Sequence, residues 1–460
     1  MELRRLSESR GFKVFLLAVL ILLFLIPTGM IKGIIWERKE RSLEVERDIM
    51  NSWGDEFVVQ GPVLRIPGME REEVKTTTNR GEEVTVKETP FYLWVVPEEL
   101  RGNTELKTEV KKRGIFSVPL FSGTVHLSGS FNTARAEKEL GPNQRVFLEK
   151  AELVIALSNQ RSIRGLEKAD WNGTALEFLP GNLGFNAAAE YDGRSFEYSS
   201  GGIYAAAPLG AGSHNFDISL LVQGGKSVRM IPLGENSLFE VSADWPSPSF
   251  RGAYLPVSHT ITGKGFSARW ELSHLSRNIP LAWIGGLPES KEGWNKSFSM
   301  SSNSFGVDFF KALDHYDVNT RAVKYALLFI IIPFLSFFLF EIFLRRDIHP
   351  VQYLLAGLGN AVFYLLLLSF SEHLPFALAY LVSAAAVIVM MSLYSRSLLD
   401  SWKKSWIMGF IMILCYSFLY FTLQSEDWAL LIGSIGAFSI VALVMFLTRT
   451  LDWKVDKTSR

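Results

Sequence analysis

Cysteine is almost absent from this 460-residue chain: Cys415 stands alone inside an apolar run. No intrachain disulfide can form, no multi-thiolate metal site can be assembled, and with no histidine at ligand spacing Cys415 nominates no metal site. A charge excess is missing too, since Lys plus Arg and Asp plus Glu are both 47, so no basic footprint points to nucleic acid. Catalytic signatures are also lacking. The chain has no Gly-x-Ser-x-Gly elbow and no His-Glu-x-x-His helix, and its seven histidines are scattered without ligand spacing. Gly224-Gly225-Lys226-Ser227 ends like a phosphate loop, but Leu220 occupies the place of the first glycine; the stretch reads as a hairpin turn. No catalytic residue, cofactor or metal ligand is nominated, and the chain reads as a non-enzyme.

What the chain has is long hydrophobic runs. Val14 to Ile31 follows Arg4, Arg5, Arg10 and Lys13 and precedes the charged stretch Trp36 to Arg41. It is longer than a cleavable signal core and no small-residue cleavage site follows, so it reads as an uncleaved anchor. Further runs cover Tyr325–Leu344, Val351–Phe370, Pro375–Tyr394, Trp406–Leu423 and Trp428–Leu447. Each approaches the length that crosses about 30 Å of hydrocarbon at about 1.5 Å per helical residue, so six transmembrane helices are predicted. The connectors sort by charge. Arg345-Arg346, Arg396 with Lys403-Lys404, and the tail with Arg449 and Lys454 fall on the side of the N-terminal cluster, whereas Ser371–Leu374 and Gln424–Asp427 hold no Lys or Arg. The positive-inside rule then places both termini in the cytoplasm.

Between the first two runs lies a long polar region that this topology puts outside the cytoplasm. Short alternating runs such as Phe91–Val96, Phe116–Phe121, Thr124–Phe131 and Phe239–Ala243, punctuated by Gly, Pro, Asn and Ser, predict a mainly-β, sandwich-like domain. Arg113-Gly114-Ile115-Phe116 is echoed by Arg251-Gly252-Ala253-Tyr254, which leaves open one β body or two lobes. The expected division is 1–36 cytoplasmic tip and anchor, 37–322 periplasmic β domain, 323–448 five-helix bundle and 449–460 cytoplasmic tail.

Polar residues at the spans are the functional candidates, because ionisable groups in lipid are costly and often functional. Glu341, near the end of the second run, reads as an interfacial pair with Arg345 one turn on, or as part of a polar seam with Asn360. Glu372 and His373 mark a turn where a pH-sensitive contact is one reading and solvation another. Tyr316, Asp317, Arg321 and Lys324 precede the second run while Arg38, Lys39 and Arg41 follow the first. They form either headgroup contacts or a joint coupling the β domain to the bundle.

Several blocks together resemble a known family: Trp53-Gly54 with Gly61-Pro62-Val63-Leu64, Arg113-Gly114-Ile115-Phe116, Trp245-Pro246-Ser247-Pro248, Arg277-Asn278-Ile279-Pro280, the junction Arg321 to Ile330, His349-Pro350-Val351-Gln352-Tyr353, and Ser371-Glu372-His373. In that order they are similar to the CreD inner-membrane proteins over nearly the whole chain. Ser158-Asn159-Gln160-Arg161 departs from the Ser-Asp-Pro-Arg-like form expected there. The resemblance implies a Gram-negative inner-membrane protein linked to cell-envelope integrity, in a two-component regulon associated with β-lactam responses. It implies no catalytic residues. The expected partners are the lipid bilayer and an envelope protein or lipidic ligand of the periplasmic domain, with no nucleic acid. Transport or lipid handling by the bundle, and an envelope-modifying enzyme, are the alternatives.

Overall fold

The computed structural model describes residues 10–54, 56–78, 81–134, 138–191, 194–285, 301–309, 315–344, 348–425 and 428–449. The chain divides into two compact units, one of residues up to Leu43 and from Leu313 onward, the other Glu44–Ala312.

The first unit is helical. α1 (Arg10–Leu23) and α2 (Leu25–Trp53) are followed, beyond the β region, by α3 (His315–Lys324), α4 (Ala326–Leu344), α5 (Pro350–Ser371), α6 (Phe376–Leu399), α7 (Trp402–Gln424) and α8 (Ala429–Thr448). Among the described residues five helices are long and apolar enough to cross a membrane, α1 and α2 counting as one. The sixth predicted run is the apolar α8, whose stretch Leu430–Phe446 falls in a shorter class. The charged segment up to Trp53, expected as a juxtamembrane helix continuing from the anchor, is continuous with it in α2. α4 continues through Pro333. α5 begins where His349 caps it: its ring accepts from Val351 N–H while Gln352 reaches back to the His349 N–H, and Pro350 in the first turn loses no helical bond. At the other end Pro375 cannot extend α5 and instead precedes α6.

The second unit is built of β1 (Phe57–Thr78), β2 (Gly81–Val95), β3 (Glu99–Arg113), β4 (Phe116–Asn132), β5 (Gln144–Val146), β6 (Glu152–Leu157), β7 (Ile163–Trp171), β8 (Thr174–Ala175), β9 (Leu179–Tyr191), β10 (Arg194–Ala206), β11 (Ser213–Gly225), β12 (Ser227–Ile231), β13 (Asn236–Ala243), β14 (Pro248–Gly252), β15 (Ser258–Thr262), β16 (Gly265–Ser273), β17 (Ala282–Gly285) and β18 (Phe305–Phe309). They form two sheets. One runs β14-β18-β12-β1-β6-β10-β9 with β2, β5 and β17 attached; the other runs β15-β16-β13-β3-β4-β11-β7-β8. Most pairs are antiparallel, but β1 with β12 and β3 with β13 are parallel, so early and late parts of the chain meet in the middle of both sheets.

Alternation places the core. β3 and β13 bury every second residue over their first turns of pleat, and those residues meet Phe57, Leu153, Val228 and Val307 of the other sheet in one large apolar cluster. At its centre Phe305 packs against Phe239 and Trp270, ring centroids 5.4 and 5.2 Å away. The question of one body or two resolves to one compact unit around this shared core. The echoed words occupy unlike places: Arg113–Phe116 turns β3 into β4 within one sheet, whereas Arg251–Tyr254 ends β14 in the other.

Two local readings are corrected. Phe116–Phe121 and Thr124–Phe131 are one strand, β4. Gly123 is not a break: a Cβ there would lie 2.0 Å from the Glu105 carbonyl oxygen, so glycine permits the close approach of β3. Gly225-Lys226-Ser227 is not a hairpin, since β11 and β12 belong to different sheets and Lys226 (φ 61) turns the chain from one to the other. Replacing Phe305, fully buried, with alanine should destabilise the β unit by about 3–5 kcal/mol; thermal unfolding of the full chain in detergent, followed by β-sheet circular dichroism, measures it.

Candidate functional site

Glu372 is the residue on which the polar candidates converge. It caps the C-terminus of α5, and its side chain is 9% exposed. A buried carboxylate needs partners, and they arrive from two other helices. Arg38 of α2 forms a bidentate pair, Nε to Oε1 at 2.7 Å and Nη2 to Oε2 at 2.6 Å, the fork geometry that makes Arg–carboxylate bonds strong and directional. Tyr316 of α3 donates its hydroxyl to Oε1 at 3.0 Å.

α3 presents this face because it is amphipathic. Tyr316, Val318, Asn319, Ala322 and Val323 are buried, the i, i+3, i+4 pattern of a helix packed on one side. Asn319 donates to Ser371 Oγ at 2.8 Å, so α3 is bonded to consecutive residues at the end of α5. Beside them Lys39 donates to Asp317 at 2.5 Å; Asp317 is half exposed, and such a pair contributes little by itself. Arg321 is half-buried and Lys324 exposed on the same helix, and His373 is exposed. The structure thus brings Arg38, Lys39, Asp317 and Glu372 into ion pairs here, together with Tyr316.

The other two intramembrane candidates lie apart from Glu372. Glu341, near the end of α4, pairs with Lys13 of α1 and accepts from the Tyr353 hydroxyl at 2.8 Å; Arg345, the partner expected from spacing, lies outside the described residues. Asn360 is 1% exposed, donates to the Phe329 carbonyl of α4 at 2.6 Å and accepts from Tyr416 of α7 at 2.6 Å. It therefore joins three helices, which is more than the hairpin contact expected, while Glu341 and Asn360 are not bonded to each other. Lys13, Tyr353, Tyr416, Asn319 and Ser371 were not singled out from sequence. Lys13 stands in the N-terminal cation cluster, and Tyr353 and Ser371 in the family blocks, but no local spacing pairs any of the five with its partner.

The β unit holds an ionic chain of its own that sequence reasoning missed. Arg229 of β12 donates to Glu56 at 2.6 Å and to Asp308 of β18 at 2.9 Å, while Arg251 of β14 reaches Asp308 at 3.3 Å. Burial pushes the Asp308 carboxyl upward against the pull of both arginines. The family motif residue Arg277 donates to the Pro232 and Leu233 carbonyls, and burial lowers its guanidinium to about 10. These groups tie strands and loops together. No cluster of three or more metal-ligating side chains occurs among the described residues.

Fold and site together define a membrane protein with apolar helices long enough to span a bilayer and a large two-sheet β unit inserted between its first and second hydrophobic segments. A family described as inner membrane protein CreD matches residues 9–454. The chain belongs to this family. It is 30% identical to the inner membrane protein CreD of Escherichia coli K12 over 436 residues, covering 94% of this chain and 91% of that protein.

For Glu372, burial raises the carboxyl pKa, but the bonds from Arg38 and Tyr316 outweigh it and the net shift is downward. A depressed acid stabilises the fold above its unfolded-state pKa and loses that contribution as pH falls through the lower folded-state value. Stability of the helical unit should therefore decline on acidification below the ordinary glutamate range, and Glu372→Gln should flatten that limb. Thermal melts of both proteins across an acid pH series in detergent measure the difference.

Proposed function

We propose that this chain is a non-enzymatic inner-membrane protein with six spans and both termini in the cytoplasm, whose β unit stands in the periplasm and binds an envelope partner or lipidic ligand. Through that contact it contributes to cell-envelope integrity and to the response to envelope stress such as β-lactam exposure. The observation that carries this reading is the convergence on Glu372. Arg38 lies on the helix that leads into the β unit and Tyr316 on the helix that follows it, so one carboxylate holds both entry and exit segments at the end of α5. The segments on either side of the β unit are thus both bonded to this group, the route by which a change of state in the β unit would be felt in the helical unit.

The charge distribution supports the topology, since the short connectors alternate between cation-rich and cation-free along the chain. Membership of a family named as inner membrane proteins supports the location. The polar groups inside the helical unit support anchoring over transport: Glu341 and Asn360 are 7% and 1% exposed and are each bonded to neighbouring helices.

Photo-crosslinking from exposed positions of the β unit in living cells should capture a specific envelope protein or lipid; recovery of none contradicts the reading. Arg38→Gln and Tyr316→Phe should insert and accumulate normally yet lose the protection that the wild-type gene restores to a deletion strain under β-lactam challenge. Growth assays with membrane-fraction immunoblots measure both, and full protection by both variants would remove the joint from the account.

A further inference from the structure

The turn between α6 and α7 carries a cationic and aromatic patch far in sequence from the Glu372 joint. Arg396 lies in the last turn of α6, Asp400 closes that helix in the left-handed conformation (φ 47) with its N–H on the Arg396 carbonyl at 2.9 Å, and Ser401 leads into α7. The Arg396 guanidinium stacks over the Trp402 ring, 3.9 Å from its centroid. This distance lies well inside the range of a cation–π contact, which restrains the guanidinium against the indole at the surface. Lys403 and Lys404 follow at once. Trp402 and Trp406 are 51% and 74% exposed. They lie one turn apart on α7, and at about 100° per residue Lys403 sits on the same side as Trp406.

Both helices are long and apolar enough to cross a membrane. The patch therefore stands where hydrocarbon gives way to headgroups, the level that indole rings favour. Below it the exposed apolar side chains Leu393, Ile407 and Phe410 continue the surface. Asp400 offsets one of the three cations, and the turn keeps a positive balance. A ligand matching all of this has an anionic head at the guanidinium and ammonium groups and an apolar body along the helices. A soluble anion would leave the exposed indoles and aliphatic face unused, and a zwitterionic headgroup would bring its own cation against Arg396.

We propose that Arg396, Trp402 and Lys403 form a binding site for the phosphodiester headgroup of an anionic phospholipid. The planar guanidinium, held by the indole, bonds the phosphate oxygens in a fork, Lys403 adds a second charge, and the acyl chains lie along Leu393, Ile407 and Phe410. This site is independent of the reading of the β unit and of the joint.

Native mass spectrometry of the full chain in detergent, titrated with phosphatidylglycerol or with phosphatidylcholine, tests the assignment. The wild type should retain phosphatidylglycerol preferentially, and retention should fall as salt rises. Arg396→Gln and Lys403→Gln should each weaken phosphatidylglycerol retention roughly fivefold while leaving phosphatidylcholine unchanged. Trp402→Leu, which keeps every charge, should also weaken it. Equal retention of the two lipids, or unchanged phosphatidylglycerol retention in the double variant Arg396→Gln with Lys403→Gln, would overturn the proposal. Displacement of the lipid by millimolar inorganic phosphate would also overturn it, assigning the patch to soluble anions. Thermal melts confirm that each variant is folded; these side chains are exposed, so their loss leaves no cavity.

Discussion

A carboxylate at the end of an apolar helix is a demanding group to place, and the helical unit is arranged to satisfy the one at Glu372. Left alone, its charge would have to stay in water or be neutralised by a proton. Here Arg38 supplies the charge and fork geometry, and Tyr316 supplies a further donor. The partners come from helices that are remote in the chain, Arg38 and Glu372 standing 334 positions apart, so the bond can form only once the first hydrophobic segment lies beside the later ones. Lys13 with Glu341 repeats this logic near the far end of α4. The N-terminal segment is thereby tied to the later helices at both ends of the apolar stretch, by opposite charges from distant parts of the chain. Removing one member of such a pair is costlier than never having had it, because the other is left desolvated and unpaired.

Between these ties sits uncharged polar bonding. Asn360 links α4, α5 and α7, and the Tyr380 hydroxyl donates to the Tyr416 carbonyl at 2.6 Å. In a hydrocarbon surrounding, van der Waals packing and interhelical hydrogen bonds take over the role that the hydrophobic effect plays in water. The β unit uses the other strategy. Its two sheets enclose aromatic and aliphatic side chains contributed by early and late strands alike, and the parallel pairs β1–β12 and β3–β13 make folding of its two halves interdependent. The buried chain Glu56–Arg229–Asp308 joins β12 and β18 to the residue that precedes β1 and reinforces one of these pairs.

The architecture was legible in the sequence wherever a period or a run length decided it. Apolar runs marked the helices, period-two alternation marked the strands, and CreD membership was readable from Trp53-Gly54 through Ser371-Glu372-His373. Glu372, Tyr316 and Asp317 stood out because ionisable or hydroxylated groups flanked apolar runs. That Glu372 receives Arg38 was not legible, because a pairing across hundreds of residues has no local spacing. The Lys13 bond to Glu341 was illegible for the same reason: an i,i+4 rule points to Arg345, which lies outside the described residues, and says nothing of a cation from the far end of the chain. Glycine misled in both directions. The runs Phe116–Phe121 and Thr124–Phe131 are one strand through Gly123, and Gly224-Gly225, which reads as a hairpin, lies where the chain crosses between sheets, since glycine serves close backbone approach as readily as it serves turns.

The central claim is that one carboxylate binds the segments entering and leaving the β unit. A double-mutant cycle between Arg38→Gln and Glu372→Gln, read as unfolding free energy of the full chain in detergent, tests it most directly. A coupling energy of about 1–3 kcal/mol is expected for a partly buried bidentate pair. Additivity of the two substitutions to within about 0.3 kcal/mol would contradict the claim and leave the segments with no common anchor.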